Sequence, residues 1–248
     1  MSSCPACGVA CEPGDRFCGA CGRALAADSV TRTDSTGARN ALFATVLIYV
    51  GTFAALFPAS LVLEVPEDAF DDLVHQLVTS VAFTLVGLLG VWRLGRESLR
   101  ESFAGRTSGK QLALGAALGA AIFAFNVGLL SALRWVTEGF PIELSFGVPP
   151  SFVLALLSTA LLPALFEEWL CRGVLWTALR RLTDARATIL LTAALFALLH
   201  GLNGAGFLEV PTRFALGLVA GWLRHRTKSL SPCVLCHLVN NALAVIAF

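Results

Sequence analysis

Charge is what this sequence has least of. Only 14% of its 248 residues are Asp, Glu, Lys or Arg, where an average soluble domain carries about a quarter, and this excludes an ordinary soluble enzyme. Nor is one sign in surplus: 18 basic and 17 acidic residues leave a net charge of +1. The chain therefore offers neither the basic face that a phosphate backbone needs nor an acidic tail, and nucleic acid is not an expected partner. The first residues lack the basic segment and following apolar run of a signal peptide. No similarity relates the two halves, against the inverted repeats of many transporters. What fills the space is apolar: 56% of residues are hydrophobic and mean hydropathy is +0.74. The partner to expect is a lipid bilayer.

Cysteine is plentiful and unevenly placed, with five of eight in the first 21 residues. Cys4-Pro-Ala-Cys7 and Cys18-Gly-Ala-Cys21 are two Cys-x-x-Cys knuckles, each followed by a glycine, Gly8 and Gly22, that can turn the backbone toward a metal. Four thiolates close a tetrahedral structural zinc site, with Cys11 surplus. Residues 1–23 resemble the short zinc ribbons that precede prokaryotic membrane proteins. A piece this small has no core, so the metal is expected to supply its folding energy. With only Arg16 and Arg23 against Glu12 and Asp15 it has no nucleic-acid footprint, and docking or sensing suits it better. Residues 24–40, rich in Ala, Ser, Thr and Asp, read as a flexible linker.

From residue 41 to 248, runs without a charged residue cover Ala41 to Leu63, Leu73 to Trp92, Gln111 to Leu133, Phe146 to Phe166, Ala187 to Leu208 and Ser229 to Phe248. Each can cross a bilayer as helix. Phe214 to Leu223 is shorter and crosses only by borrowing the turn around Glu209 to Arg213. The expected fold is all-α: a polytopic bundle of about seven transmembrane helices, N-terminus inside, behind a small zinc ribbon. Basic residues give the orientation, because sixteen of eighteen then lie on the inner side, Arg134 and Arg213 being the two outside. The ribbon cysteines are then in a reducing compartment, where thiols hold metal and do not pair.

Polar residues at membrane depth, ionisable ones above all, are functional-site candidates by default. They are Glu167, Glu168 and Arg172 at the end of the fourth span, His200 in the fifth, and His237 with Asn240 and Asn241 in the seventh. His75 reads as interfacial and Asn126 as a helix-to-helix hydrogen bond. Residues four apart share a helix face, so Glu168 pairs with Arg172, Phe196 with His200 and His237 with Asn241. Glu167, turned about 100° from Glu168, is left for proton transfer, and the histidines can meet it in a cavity opening inward.

Three motifs here resemble those of the CPBP family of intramembrane proteases, the CAAX-protease and bacteriocin-processing group. They are Glu167-Glu168-Trp-Leu-Cys-Arg172, Phe196-Ala-Leu-Leu-His200 and His237-Leu-Val-Asn-Asn241, in order, with Phe214, Gly217 and Gly221 between the second and third. The resemblance covers about residues 151–241. It implies an intramembrane endopeptidase acting on a peptide or protein substrate, prenylated or leader-like, that enters from the membrane or the cytoplasmic side. Glu167 and His200 would activate water, His237 and Asn241 would stabilise the oxyanion, and Glu168 and Arg172 would support them. The expected location is a prokaryotic plasma membrane. No His-Glu-x-x-His is present, and Asn241 is a poor zinc ligand, so a catalytic metal is not expected. Cys233-Val-Leu-Cys236-His237 matches the haem-attachment pattern but falls within an apolar span. The competing reading is a membrane scaffold or bacteriocin-immunity protein that keeps these residues without proteolysis.

Overall fold

The computed structural model describes residues 2–11, five positions between 18 and 25, positions 78 and 85, and 107–247 except 142, 145, 148–151, 181 and 202–209. Its N-terminal piece is built on a tight turn. Strand β1 (Ser2–Ser3) pairs antiparallel with β2 (Ala10–Cys11). Gly8 takes φ +70°, a left-handed conformation that a Cβ disfavours, and its N–H donates to the Cys4 carbonyl at 2.8 Å.

Five helices are described between 107 and 247: α1 (Gly109–Glu138), α2 (Phe152–Arg180), α3 (Ala185–Gly201), α4 (Val210–Thr227) and α5 (Ser231–Ala247). Their ends are written locally. Ser108 and Gln111 form a reciprocal capping box at the start of α1, and Gly139 at φ +81° closes it. The Asp184 carboxylate accepts from the Ala187 N–H at 2.8 Å to start α3. Pro211 and Pro232 stand in the first turns of α4 and α5, where a missing N–H costs little.

The helices α1 and α2 are long and apolar enough to cross a membrane. Only 11% of the apolar window of α1 is buried, and Phe125, Leu190, Leu191, Leu198 and Trp222 are exposed on α1, α3 and α4. An apolar exterior of this kind suits lipid and not water. Small residues bring the helices together. A Cβ on Gly119 of α1 would strike the Cys236 carbonyl of α5, and one on Gly217 of α4 would lie 2.9 Å from the Ala193 Cα of α3.

One boundary differs from the sequence expectation. The fourth span does not close at Glu167 and Glu168: α2 continues thirteen residues past Glu167, with Glu168 neutralised by Arg172 one turn on inside the bundle. The weak segment at 214–223 is an 18-residue helix beginning at Val210 and taking in Arg213. The fifth segment is helical from Ala185 to Gly201, and 202–209 lie outside the described residues. The spans expected at 41–63 and 73–92 also lie outside them, apart from Val78 and Leu85, which are helical. So do His75 and, Leu25 excepted, the linker 24–40.

Candidate active site

Helix α2 is not uniformly α. It winds as π-helix over Leu156–Leu161 and again over Trp169–Leu175, and Glu167 and Glu168 sit on the α-helical stretch between. A π turn passes hydrogen bonds to the fifth residue instead of the fourth and so displaces carbonyls from their usual donors. The Trp176 N–H reaches back to the Cys171 carbonyl, and the Arg172 carbonyl receives instead the Nε–H of Arg224 from α4 at 3.0 Å. Near the first π stretch, Pro163 has no N–H to give to the Thr159 carbonyl four residues back. The Asn241 amide of α5 donates there at 2.9 Å. Carbonyls of α2 thus accept side chains from two other helices.

Glu168 and Arg172 are fully buried and paired at 3.0 Å, from Nη1 to Oε1. The guanidinium also donates from Nη2 to the Gly217 carbonyl at 2.9 Å and lies 5.0 Å above the Phe196 ring. Glu168 Oε1 accepts a second hydrogen bond, from His237 Nδ1 at 3.0 Å. Since a carboxylate only accepts, His237 carries its proton on Nδ1. One buried carboxylate therefore holds the cation of its own helix and the imidazole of α5.

Glu167 faces the other way. Its Oε2 lies 3.5 Å from His200 Nε2, with both side chains largely buried. His200 Nδ1 donates to the Phe196 carbonyl at 2.7 Å, which fixes the tautomer: the neutral ring turns an acceptor lone pair at Nε2 toward Glu167. Phe196 is the common wall. Its centroid is 4.5 Å from that of His200 and 5.7 Å, edge-on, from that of His237. Sequence spacing paired Phe196 with His200 on one face of α3, and its place against His237 and Arg172 emerges only from the assembled helices.

Beside these residues runs a line of amides. Asn241 Oδ1 accepts from Asn240 Nδ2 at 2.9 Å, and Asn240 Oδ1 accepts from Asn126 Nδ2 of α1 at 3.4 Å. The structure thus brings together Glu167 with His200, Glu168 with Arg172 and His237, and Asn241 with the π-distorted part of α2. Arg224 was legible only as an inner-side cation, although it stands seven residues after Gly217 and so on the same face of α4.

Away from the bundle helices, Cys4, Cys7, Cys18 and Cys21 converge, with all four sulfur atoms within 4.8 Å of one another. Among the described residues this is the group of His, Cys, Asp and Glu side chains able to hold a metal ion. Cys4 and Cys21 are 3.7 Å apart through sulfur, and Cys7 and Cys18 3.5 Å. The backbone N–H groups of Ala6 and Ala20 each donate to the first sulfur of a knuckle at 3.4 Å. The Cys21 backbone and then the Ala20 N–H, outweighing burial, draw the Cys18 thiol down to about 6, and the Ala6 N–H lowers Cys4. Cys7, although bonded by the Val9 backbone, is pushed up to about 12 by its sulfur neighbour Cys18 and by burial. Such opposed shifts mark thiols crowded around one point. Cys11 stands apart, its sulfur directed to the Val9 carbonyl at 3.5 Å.

Residues 149–243 match the family model of the type II CAAX prenyl endopeptidase Rce1-like proteins, a family of proteases. The stretch contains all three motifs and bears out the CAAX-protease resemblance read from them. No curated protein and no solved structure matches the chain.

Proposed function

We propose that this protein is an intramembrane endopeptidase that hydrolyses a peptide bond near the lipid-modified end of a membrane-associated substrate, a CAAX-type prenylated tail being the first to try. The observation that carries the reading is the facing pair Glu167 Oε2 and His200 Nε2, 3.5 Å apart and largely buried beside a second, separately satisfied carboxylate. Two acceptors converge there, and a water seated beside the pair, within hydrogen-bond distance of each, can donate to both. Glu167 takes a proton from that water as its oxygen attacks the scissile carbonyl, His200 holds the water in line, and the proton passes to the leaving amine.

The oxyanion that forms needs donors. Asn241 has a second Nδ2 hydrogen besides the one given to Thr159. His237, whose Nδ1–H is committed to Glu168, can donate from Nε2 only when both ring nitrogens carry a proton. Arg172 holds Glu168 in place. Donors preorganised away from water are each worth about 10²–10³ in kcat.

The N-terminal cysteines form a structural zinc ribbon in this reading. Sulfur atoms around a zinc ion at about 2.3 Å would stand about 3.8 Å apart, and the separations of 3.5 and 3.7 Å are compatible with that tetrahedron. The remaining features of the proposal are a plasma-membrane bundle of about seven spans with the ribbon cytoplasmic, and domains at 1–23, 24–40 and 41–248 with the protease core at 151–241.

The test is a comparison of protein termini, by mass spectrometry, in membranes expressing the intact chain, Glu167→Gln or His200→Ala at matched levels. Termini present with the intact chain and lost in both variants support the proposal and identify the substrate. Well-folded intact protein that yields no such terminus, on cell membranes or on a farnesylated peptide, overturns it in favour of a scaffold.

A further inference from the structure

We propose that Asn126 and Asn240 are positioning residues, which set the direction of the Asn241 amide through a one-way relay of three carboxamides. The inference rests on the reading of Asn241 as an oxyanion donor. Oxygen and nitrogen of an asparagine side chain are assigned by their partners, and here one end of the line leaves no choice. The Thr159 carbonyl can only accept, and Pro163, four residues on, brings no N–H to it. The Asn241 atom 2.9 Å away is therefore Nδ2.

Each later link follows from that one. With Nδ2 committed to α2, Asn241 turns Oδ1 toward its neighbour, and Asn240 must present Nδ2, at 2.9 Å. Asn240 Oδ1 is then the atom that faces α1, and Asn126 must donate, at 3.4 Å. Asn240 and Asn241 are about 100° apart around α5, so one faces α1 while the other reaches α2. The carboxamide of Asn241 is held at both ends, by Thr159 and by Asn240. Its plane is fixed, and its second hydrogen keeps a single direction. Without the Asn240 donor the Asn241 group could rotate about its last torsion, which is broad for an amide. Asn126 touches neither of the carboxylates Glu167 and Glu168 in the described contacts and acts only through Asn240.

The test uses the full chain purified in detergent, with a farnesylated CAAX-type peptide as probe. Asn126→Leu and Asn240→Ala each cut the relay from a different helix, so that one remains informative if the other does not fold. Each is expected to lower kcat about tenfold, a fraction of the loss on removing an oxyanion donor outright, with KM within about twofold. The distinguishing arm is the Asn241→Ala background. There, Asn126→Leu is expected to cause no further loss, because the group it orients is gone. A loss of equal size in both backgrounds, or a wild-type kcat in folded Asn126→Leu and Asn240→Ala, overturns the relay. These outcomes stand apart from failure of the protease reading, in which the intact chain cleaves no more than Glu167→Gln and the relay falls with it.

Discussion

Arg172→Met isolates the energetics of the buried charges. The substitution keeps most of the side-chain volume and removes the Nη1 bond to Glu168, the Nη2 bond to the Gly217 carbonyl and the cation above Phe196. Both partners of the ion pair are 0% exposed, so Glu168 is left as a buried carboxylate with His237 alone. Removing one member of such a pair costs about 3–5 kcal/mol. Glu168→Gln is expected to cost about the same, since Gln still accepts from His237 Nδ1 but leaves the guanidinium without a counter-charge. The double variant buries neither charge, so the two losses should fail to add by about 2 kcal/mol or more. The assay is unfolding in mixed micelles followed by tryptophan fluorescence, with the buried Trp169 and Trp176 as reporters. Single variants each within about 1 kcal/mol of the parent, or losses that simply add, would refute the pairing as the element that fixes this part of α2.

Four further outcomes are expected. Gly217→Leu drives a side chain into Ala193, shifts the acceptor of Arg172 and should destabilise by about 1–3 kcal/mol or more in the same unfolding assay. Arg172→Lys should recover little of the loss in Arg172→Met, because an ammonium cannot reproduce the fork that serves Glu168 and Gly217 together. Metal analysis of the full chain should find one zinc per chain, lost in Cys4→Ser and kept in Cys11→Ser. Zinc affinity should also fall with pH, because each thiol must lose its proton to ligate and protons compete with the metal for the four sulfur atoms. A chelator-competition titration at stepwise lower pH reads this directly, and an affinity independent of pH would contradict the assignment.

Much of the site was legible because helix periodicity is a strong constraint. Spacing by four placed Glu168 with Arg172 on one face, where they pair at 3.0 Å, and Phe196 with His200, whose ring bonds the Phe196 carbonyl. Asn126 was read as a helix-to-helix hydrogen bond, and it donates to Asn240 of α5. A search for charge-free runs misplaced the end of α2, because it treats every carboxylate as a stop and takes no account of a cation one turn on. The π turns lay beyond reach altogether. They depend on which carbonyls other helices can satisfy, and that is decided by packing, as with Arg224 on the Arg172 carbonyl. Pro163 was visible in the sequence, but its consequence needed the position of Asn241.

The carbonyls of Thr159 and Arg172 give the site a kind of wiring that substitution cannot erase. Each accepts a side chain from another helix, yet the accepting atom belongs to the main chain and is present whatever residue stands at 159 or 172. A scan that replaces side chains one at a time would record Asn241 and Arg224 as important while leaving their acceptors unmarked. Sequence drift at Thr159 is correspondingly tolerable so long as the winding of the helix persists. The acceptors are encoded by helix phase, and an edit that alters phase, such as deleting one residue from 156–161, would disconnect Asn241 while changing none of the polar residues.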